Sequence, residues 1–429
     1  MAVAWIEEII RAGSARVEEL EVYAVEGRSI SADLQRDQVA HATGSHSAGL
    51  SIRTIQSGRI GVSGTNNPSA WQRCLDAAIA SGRLSTPQKW DGLPDPVPVD
   101  TSPMSFDPHL AIEADAARTL LDGMLEGAAR YEVQVTAGSA DLSMTTITLA
   151  NSRGIRYSRQ SSLVSISLET IVGQSTGYEF AQSFTLGTDP REVGEKAAFL
   201  ADHSQNGKDI PSGTYDLVLS PIAFAQLIGA VVMPALNGRN VHAGRSRLAS
   251  ELGRQVMDEQ ISLSDDPHDP RGLGSTAWDA EGVPARRLDF IENGMLRSFA
   301  YDLKTAYRYG KASTGSAVRS GFGGAPSIGH HNLTLSGERG GVTEGRVLYA
   351  HDVVGAHTAN PMSGDFSVEL SNACWMDNGS PGEPIRTAMF AGNAFDMLRS
   401  IGGIGEDDRV IGSMILPSIR LNGQRIVGT

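Results

Sequence analysis

Three polar stretches of this chain gather side chains that could do chemistry. The first, Ser264-Asp265-Asp266-Pro267-His268-Asp269-Pro270, sets three carboxylates and an imidazole within five residues, a density that suits a hard cation. Its spacing is not that of a helix–loop–helix calcium site, and the two prolines hold it extended. Solvated turns capped by Asp side chains are the plainer reading. The second runs from Tyr349 to Ser367 and carries His351, His357 and Asp365. A turn could bring these three together as metal ligands or as an acid–base set, with separate structural histidines as the plainer reading. The third follows Asn237-Gly238, where Arg239, His242, Arg245 and Arg247 concentrate positive charge at a helix exit. Arginines there could grip a peptide carboxylate in bidentate fashion, or simply pair with surface carboxylates. Arg239, His242, Arg245, His351, His357 and Asp365 are therefore the candidate substrate-contacting residues.

Other chemistries find no support. There is no Gly-x-Ser-x-Gly elbow, no phosphate-binding Gly-x-x-x-x-Gly-Lys loop and no Gly-x-Gly-x-x-Gly after a strand. Cys74 and Cys374 stand far apart, outside any metal-ligand spacing, and read as buried thiols of a reducing compartment. A net charge of −13 repels nucleic-acid backbones and anionic membranes. The N-terminus lacks the basic start and apolar core of a signal peptide, and no apolar run is long enough to span a bilayer. A cytoplasmic protein is the expectation.

The elements that must position these residues read as an α+β chain. At 429 residues it exceeds the usual size of a single core, and two domains are expected, 1–208 and 209–429. Residues 5–18 and 68–81 have amphipathic helical spacing, and strands are expected at 21–26, 28–35, 49–55 and 59–64, the last two joined at Ser57-Gly58. The prolines at 87, 94, 96, 98 and 103 make 87–103 an extended surface linker inside the first domain. A helix at about 108–129 precedes strands near 131–142, 145–150 and 155–171, where Val164, Ile166 and Leu168 alternate with polar residues. Asp189, Pro190 and Glu192 start a helix that ends near 203. The second half opens with a strand at 214–220 and an apolar helix at 221–235. Asn293-Gly294 signals a hairpin, 307–331 is a long Gly/Ser loop, a helix is expected at 391–401, and a last hairpin at Asn422-Gly423.

Taken in order, several segments resemble one family, the TldD/PmbA group, also called peptidase family U62 or modulator of DNA gyrase. They are Gly244-Arg245-Ser246 with Leu252-Gly253, the Ser264-to-Pro267 run, Trp278-Asp279-Ala280-Glu281-Gly282-Val283-Pro284, and Ile291-Glu292-Asn293-Gly294. Ser313-Thr314-Gly315, Asn360-Pro361 with Ser363-Gly364-Asp365-Phe366-Ser367, and Ala391-Gly392-Asn393 complete the set. The match is closest to the PmbA (TldE) branch. In the TldD branch, the helix after the equivalent of Leu219-Ser220-Pro221 carries His-Glu-x-x-x-His. That motif puts two zinc ligands and a general base on one face. Here those positions fall at about Gly229, Ala230 and Pro234. The late Cys ligand of that branch has no counterpart in Gly412-Ser413-Met414-Ile415-Leu416-Pro417.

The resemblance thus implies a subunit without metal of its own. Zinc and base would come from a TldD-like His-Glu-x-x-x-His partner in a heterodimer, with a homodimer as the state in isolation. The substrates implied are peptides or unfolded chains, bound in part by strand addition. Two alternatives stay open: a self-sufficient hydrolase or metallopeptidase using His351, His357 and Asp365, and a regulatory binding protein.

Overall fold

A computed structural model gives the fold and describes residues 2–100, 102 and 104–428. The N-terminal half is built on one antiparallel sheet of β1 (Glu19–Gln35), β2 (Gln38–Gln56), β3 (Arg59–Thr65), β4 (Gln134–Asn151), β5 (Arg156–Val172) and β6 (Ser175–Ser183), in the order β3-β2-β1-β4-β5-β6. α1 (Ala2–Ser14) and α2 (Trp71–Leu84) close one core against this sheet, where Ile9, Leu20, Ile52 and Leu75 are buried. α3 (Ala114–Ala128) and α4 (Pro190–His203) close a second core containing Leu121, Met124, Ile166 and Leu168. The alternation on β5 does what its pattern requires: Val164, Ile166 and Leu168 point inward. Asp189 caps α4, its carboxylate accepting the Arg191 N–H at 2.9 Å.

Several boundaries differ from the sequence expectation because strand pairing overrides local signals. The expected strands 21–26 and 28–35 are one strand, as Gly27 lies in register with Ser47 on one side and Thr145 on the other. Those at 131–142 and 145–150 are likewise the single β4, and β6 was not foreseen. The first helix occupies 2–14 rather than 5–18. The helix expected from 108 starts at Ala114, because Asp107 accepts the His109 N–H and forms a turn instead. The Ser57-Gly58 hairpin is present, with positive φ at both residues. The linker 87–103 is irregular where it is described; Thr101 and Pro103 lie outside the described residues. It lies on the sheet through Glu19, which accepts from Trp90 Nε1 at 2.7 Å.

The C-terminal half contains, in chain order, β7 (Gly213–Leu219), α5 (Pro221–Leu227), a π-turn (Ile228–Val232), α6 (Met233–Leu236), α7 (Gly238–His242), β8 (Ser262–Asp265), β9 (Leu288–Glu292) and β10 (Met295–Leu296). There follow α8 (Leu303–Tyr309), β11 (Ala317–Val318), β12 (Ser327–Ile328), β13 (Leu333–Ser336), β14 (Arg346–Val354), β15 (Asp365–Asp377), β16 (Ser380–Pro384), β17 (Ala388–Asn393), α9 (Ala394–Met397), β18 (Ile401–Ile404), β19 (Arg409–Ile411), β20 (Met414–Leu416) and β21 (Ile419–Gly428). One sheet runs β10-β9-β8-β13-β20-β19. In another, β14 pairs with β7 and β15, β15 with β17, β17 with β21, and β21 with β7, so the pairing closes on itself and leaves no edge among these five. Most pairs are antiparallel, and with the helices they make an α+β fold.

Three expectations in this half are corrected. The Gly/Ser loop of 307–331 begins as the end of α8 and contains the β11–β12 ribbon. The helix of 391–401 shrinks to Ala394–Met397. Asn422-Gly423 is a bulge inside β21 rather than a hairpin, because the Gly423 N–H is drawn to Asp216 Oδ1 at 3.0 Å. The two halves meet where Tyr157 packs on Trp278, ring centroids 5.6 Å apart, and where buried Arg53 joins Glu21 to Glu281. No helix among the described residues is long and apolar enough to cross a membrane.

Candidate functional site

The apolar helix after β7 is one rod with an irregular centre. Ser220 caps it, accepting from Ile222 N at 3.1 Å and Ala223 N at 3.2 Å. Phe224, Leu227, Ile228, Val231, Val232, Ala235 and Leu236 are fully buried. The π-turn brings the Met233 N–H to Ile228 O, five residues back. Its placement has a physical reason. Pro234 has no N–H to give and its ring would press on the carbonyl four residues earlier, a conflict that a wider turn relieves.

Gly229 and Pro234 line a cavity of about 310 Å³ with Met233, Leu236, Ala300, Ile328 and His330 around it. β20 crosses nearby and lays Met414 over Gly229: a Cβ added to Gly229 would stand 3.2 Å from Met414 Cε. His330 shares a hydrogen bond of 2.9 Å with Ser413 Oγ, and burial holds its pKa below the ordinary histidine value. The helix centre, the 412–417 segment and the end of the Gly/Ser loop thus converge on one place.

Arg239 and Arg245 face a second, larger cleft of about 580 Å³. Across it stand Lys304 and Arg308 of α8; the sequence expectation puts Arg308 at the start of the 307–331 loop and assigns no element to Lys304. A usable signal existed: Asp302 caps α8 through the Thr305 N–H at 2.7 Å, and Gly310 ends it with φ of 65°. His242 stacks on Tyr309 at 3.9 Å and 9°, and its Nε2 lies 3.2 Å from the Tyr301 hydroxyl. Burial first, and Lys311 second, keep the His242 pKa below its usual value. Asn237 and Ile328 border both cavities, so the two are contiguous.

His351, His357 and Asp365 do not come together. His351 is buried on β14, and its Nε2 lies 3.4 Å from Glu179 Oε2. That distance would mark an ion pair only if the ring were charged. Burial outweighs the pull of Glu179 and lowers its pKa to about 4, so it is neutral at pH 7. His357 is exposed in a single 3-10 turn. Asp365 opens β15 at the surface and binds Ser363 Oγ at 2.7 Å and Asn393 Nδ2 at 2.8 Å. Asp352, the residue after His351, is in register with Ser371, six residues beyond Asp365. At about 3.3 Å per residue that is roughly 20 Å.

The acidic run is a set of turns. Asp266 accepts the His268 N–H and Asp269 the Arg271 N–H, each at 2.9 Å. Asp265 is buried and accepts the N–H groups of His331 and Asn332, each at 2.8 Å, which anchors the strand next to His330.

Family models match almost the whole chain: the PmbA/TldA metallopeptidase domain 1 at residues 20–82, the central domain at 94–204 and the C-terminal domain at 212–428. The chain belongs to the PmbA/TldD family. The crystal structure of TldE from Thermococcus kodakarensis superposes with a TM-score of 0.91 at 26% identity, covering 99% of this chain and 100% of that one. An uncharacterised protein of Methanocaldococcus jannaschii is 28% identical over 98% of this chain and 99% of its own. A protein named metalloprotease PmbA homolog, from Haemophilus influenzae, is 26% identical over 97% and 94%.

The metallopeptidase family implies a metal, and the side chains at the helix centre do not suit one. Gly229, Ala230 and Pro234 offer no donor atom, and Met414 fills the space above Gly229. Among the described residues, no three His, Cys, Asp or Glu side chains converge as a ligand set.

Proposed function

We propose that this chain is the non-metal-binding subunit of a heteromeric zinc peptidase acting on peptides or unfolded chains in the cytoplasm. A TldD-like partner with His-Glu-x-x-x-His would supply the zinc and the general base. The observation that carries this reading is the helix centre: Gly229, Ala230 and Pro234, the positions that the resemblance equates with ligands and base, have no ligand atom in their side chains, and a cavity of about 310 Å³ opens beside Gly229 and Pro234. A site merely remodelled for another metal would keep some of its ligands. The likeness to TldE over 99% of the chain supports the same assignment.

What remains for this chain is to hold substrate and partner. The β11–β12 ribbon belongs to no larger sheet, so β12 offers a free edge beside both cavities, where an extended peptide could add as a strand. Val354 at the end of β14 and Met362 in the loop that leads on to β15, 58% and 51% exposed, suit an apolar interface. The test is reconstitution. The purified chain alone is expected to contain no stoichiometric zinc and to leave casein and short peptides intact. Mixed with a paralogue bearing His-Glu-x-x-x-His, it should form a complex that cleaves them in a chelator-sensitive manner. Proteolysis by this chain alone, persisting after repurification and tracking with bound metal, would overturn the proposal.

A further inference from the structure

We propose that the cleft between α7 and α8 is a carboxylate-binding subsite. It takes a peptide by its C-terminal or side-chain carboxylate, with a neighbouring apolar side chain in the adjoining cavity. This deepens the peptide-binding reading above and rests on it.

The cleft is assembled by close backbone packing. The Gly238 N–H donates to Ala300 O at 2.9 Å, and a Cβ at Gly238 would overlap the Tyr301 ring. Only a glycine lets α7 lie this near, and the approach sets Arg239 and Arg245 across from Lys304 and Arg308 around one concavity. The sole carboxylate on its wall, Asp302, is 5% exposed and is used as the α8 cap.

None of these four cations forms an ion pair among the described residues. Neighbours on the same half do find partners: Arg247 pairs with Asp396, Arg254 with Glu251, and Arg297 with Glu292. In a chain of net charge −13, four uncompensated cations around one hollow make a local positive field, which concave low-dielectric walls focus. Guanidinium forks match carboxylate geometry in bidentate fashion. The contiguous smaller cavity is walled by Met233, Leu236, Ala300 and Ile328. A ligand with an anionic group beside an apolar one fits both, and a peptide supplies that pair. A nucleic-acid strand suits the cleft less well. The ring within it, Tyr309, is already stacked on His242 and is not free to receive a base.

The experiment is fluorescence anisotropy on the full-length chain at low ionic strength. It uses four dye-labelled hexapeptides that share a penultimate Leu and differ in a free-acid or amide C-terminus and in an internal Glu or Gln. Peptides with at least one carboxylate are expected to bind ten-fold or more tighter than the amide–Gln peptide. The acid–amide and Glu–Gln contrasts show which carboxylate is held. The R239Q/R245Q and K304Q/R308Q variants should lose that ten-fold preference with unchanged thermal midpoints, because all four side chains are exposed. Equal binding of the neutral peptide, an intact preference in both variants, or tighter binding of a labelled single-stranded DNA 12-mer would overturn the subsite. Cleavage by the reconstituted complex is scored separately. Partner-dependent cleavage with no carboxylate preference sinks the subsite and leaves the peptidase reading standing. A variant-sensitive preference with no partner-dependent cleavage does the reverse.

Discussion

Met414 covers the open face of Gly229, its Cε 3.2 Å from where a Cβ would stand. The methyl is the far end of a flexible side chain, so a modest addition at Gly229 is met by a rotamer adjustment rather than by backbone. Gly229→Ala is therefore expected to leave stability within about 1 kcal/mol of the parent, since the helix-propensity gain of about 1 kcal/mol offsets the crowding. In a Met414→Ala background the same change should be more favourable, because nothing has to move. Urea denaturation of the four proteins checks this. A loss above about 2 kcal/mol for Gly229→Ala alone would show that Met414 is locked in place.

The sequence disclosed this helix but not its surroundings. Ser220-Pro221 at one end and Asn237-Gly238 at the other mark its limits, because capping chemistry is local. Asp189-Pro190 for α4, Ser57-Gly58 for the first hairpin and the Val164, Ile166, Leu168 alternation were legible for the same reason. The meeting of Gly229 with Met414, and of Arg239 and Arg245 with Lys304 and Arg308, was not. Those pairs are brought together by sheet order and by the backbone approach at Gly238, which leave no periodic trace. Of the two readings open for His351, His357 and Asp365, the structure has the separate one, because the strand position facing Asp352 is Ser371, six residues beyond Asp365 on β15.

His351 should make the protein sensitive to mild acid. Its pKa is lowered to about 4, first by burial, with Glu179 opposing. The folded state thus refuses a proton that the unfolded chain accepts at the ordinary value of about 6.5. The stabilisation this confers is complete above about 6.5 and is lost as the pH falls from there toward 4. Between pH 7.5 and pH 5 the loss from this group is of order 2 kcal/mol by that linkage. His351→Gln, which takes up no proton, should have a correspondingly flatter profile in urea melts at the two pH values, even if it is less stable at both. Parallel profiles for the two proteins would contradict the assignment.

α3 and α4 depend on two glycines, one in each helix, that lie against the backbone of the other helix. A Cβ on Gly194 would fall 1.9 Å from Met124 O, and one on Gly127 would fall 2.0 Å from Arg191 O. Neither carbonyl can yield without moving its helix. Gly194→Ala and Gly127→Ala should therefore each cost about 1–3 kcal/mol or more, although alanine favours a helix elsewhere. The double variant should cost less than the sum, because one displacement of the helices relieves both clashes. Chemical denaturation of the three variants reads this directly, and full additivity would mean that the two contacts are independent.

The charge cluster joining the two halves gives a test whose size depends on pH. Arg53 is 3% exposed, holds Glu21 at 2.6 Å and also binds Glu281, which is wholly buried and accepts the Leu303 N–H at 2.7 Å. Burial pushes the Glu281 pKa up, and Arg53 is the chief group opposing that rise. Glu281→Ala leaves Arg53 short of one partner and the Leu303 N–H unpaired, so a loss of about 3–5 kcal/mol is expected. Arg53→Met is more informative, because it removes the opposing charge and lets the Glu281 pKa climb further. A carboxyl whose folded pKa lies above its unfolded value contributes stability that is present at low pH and lost as the pH rises through the folded value. Relative to the parent, Arg53→Met should therefore be least impaired near pH 5 and increasingly impaired toward pH 8. Adding Glu281→Gln to Arg53→Met should reduce that slope, since glutamine takes up no proton. Urea melts across this range decide it: a deficit for Arg53→Met that is constant with pH would mean that Glu281 stays ionised without its arginine.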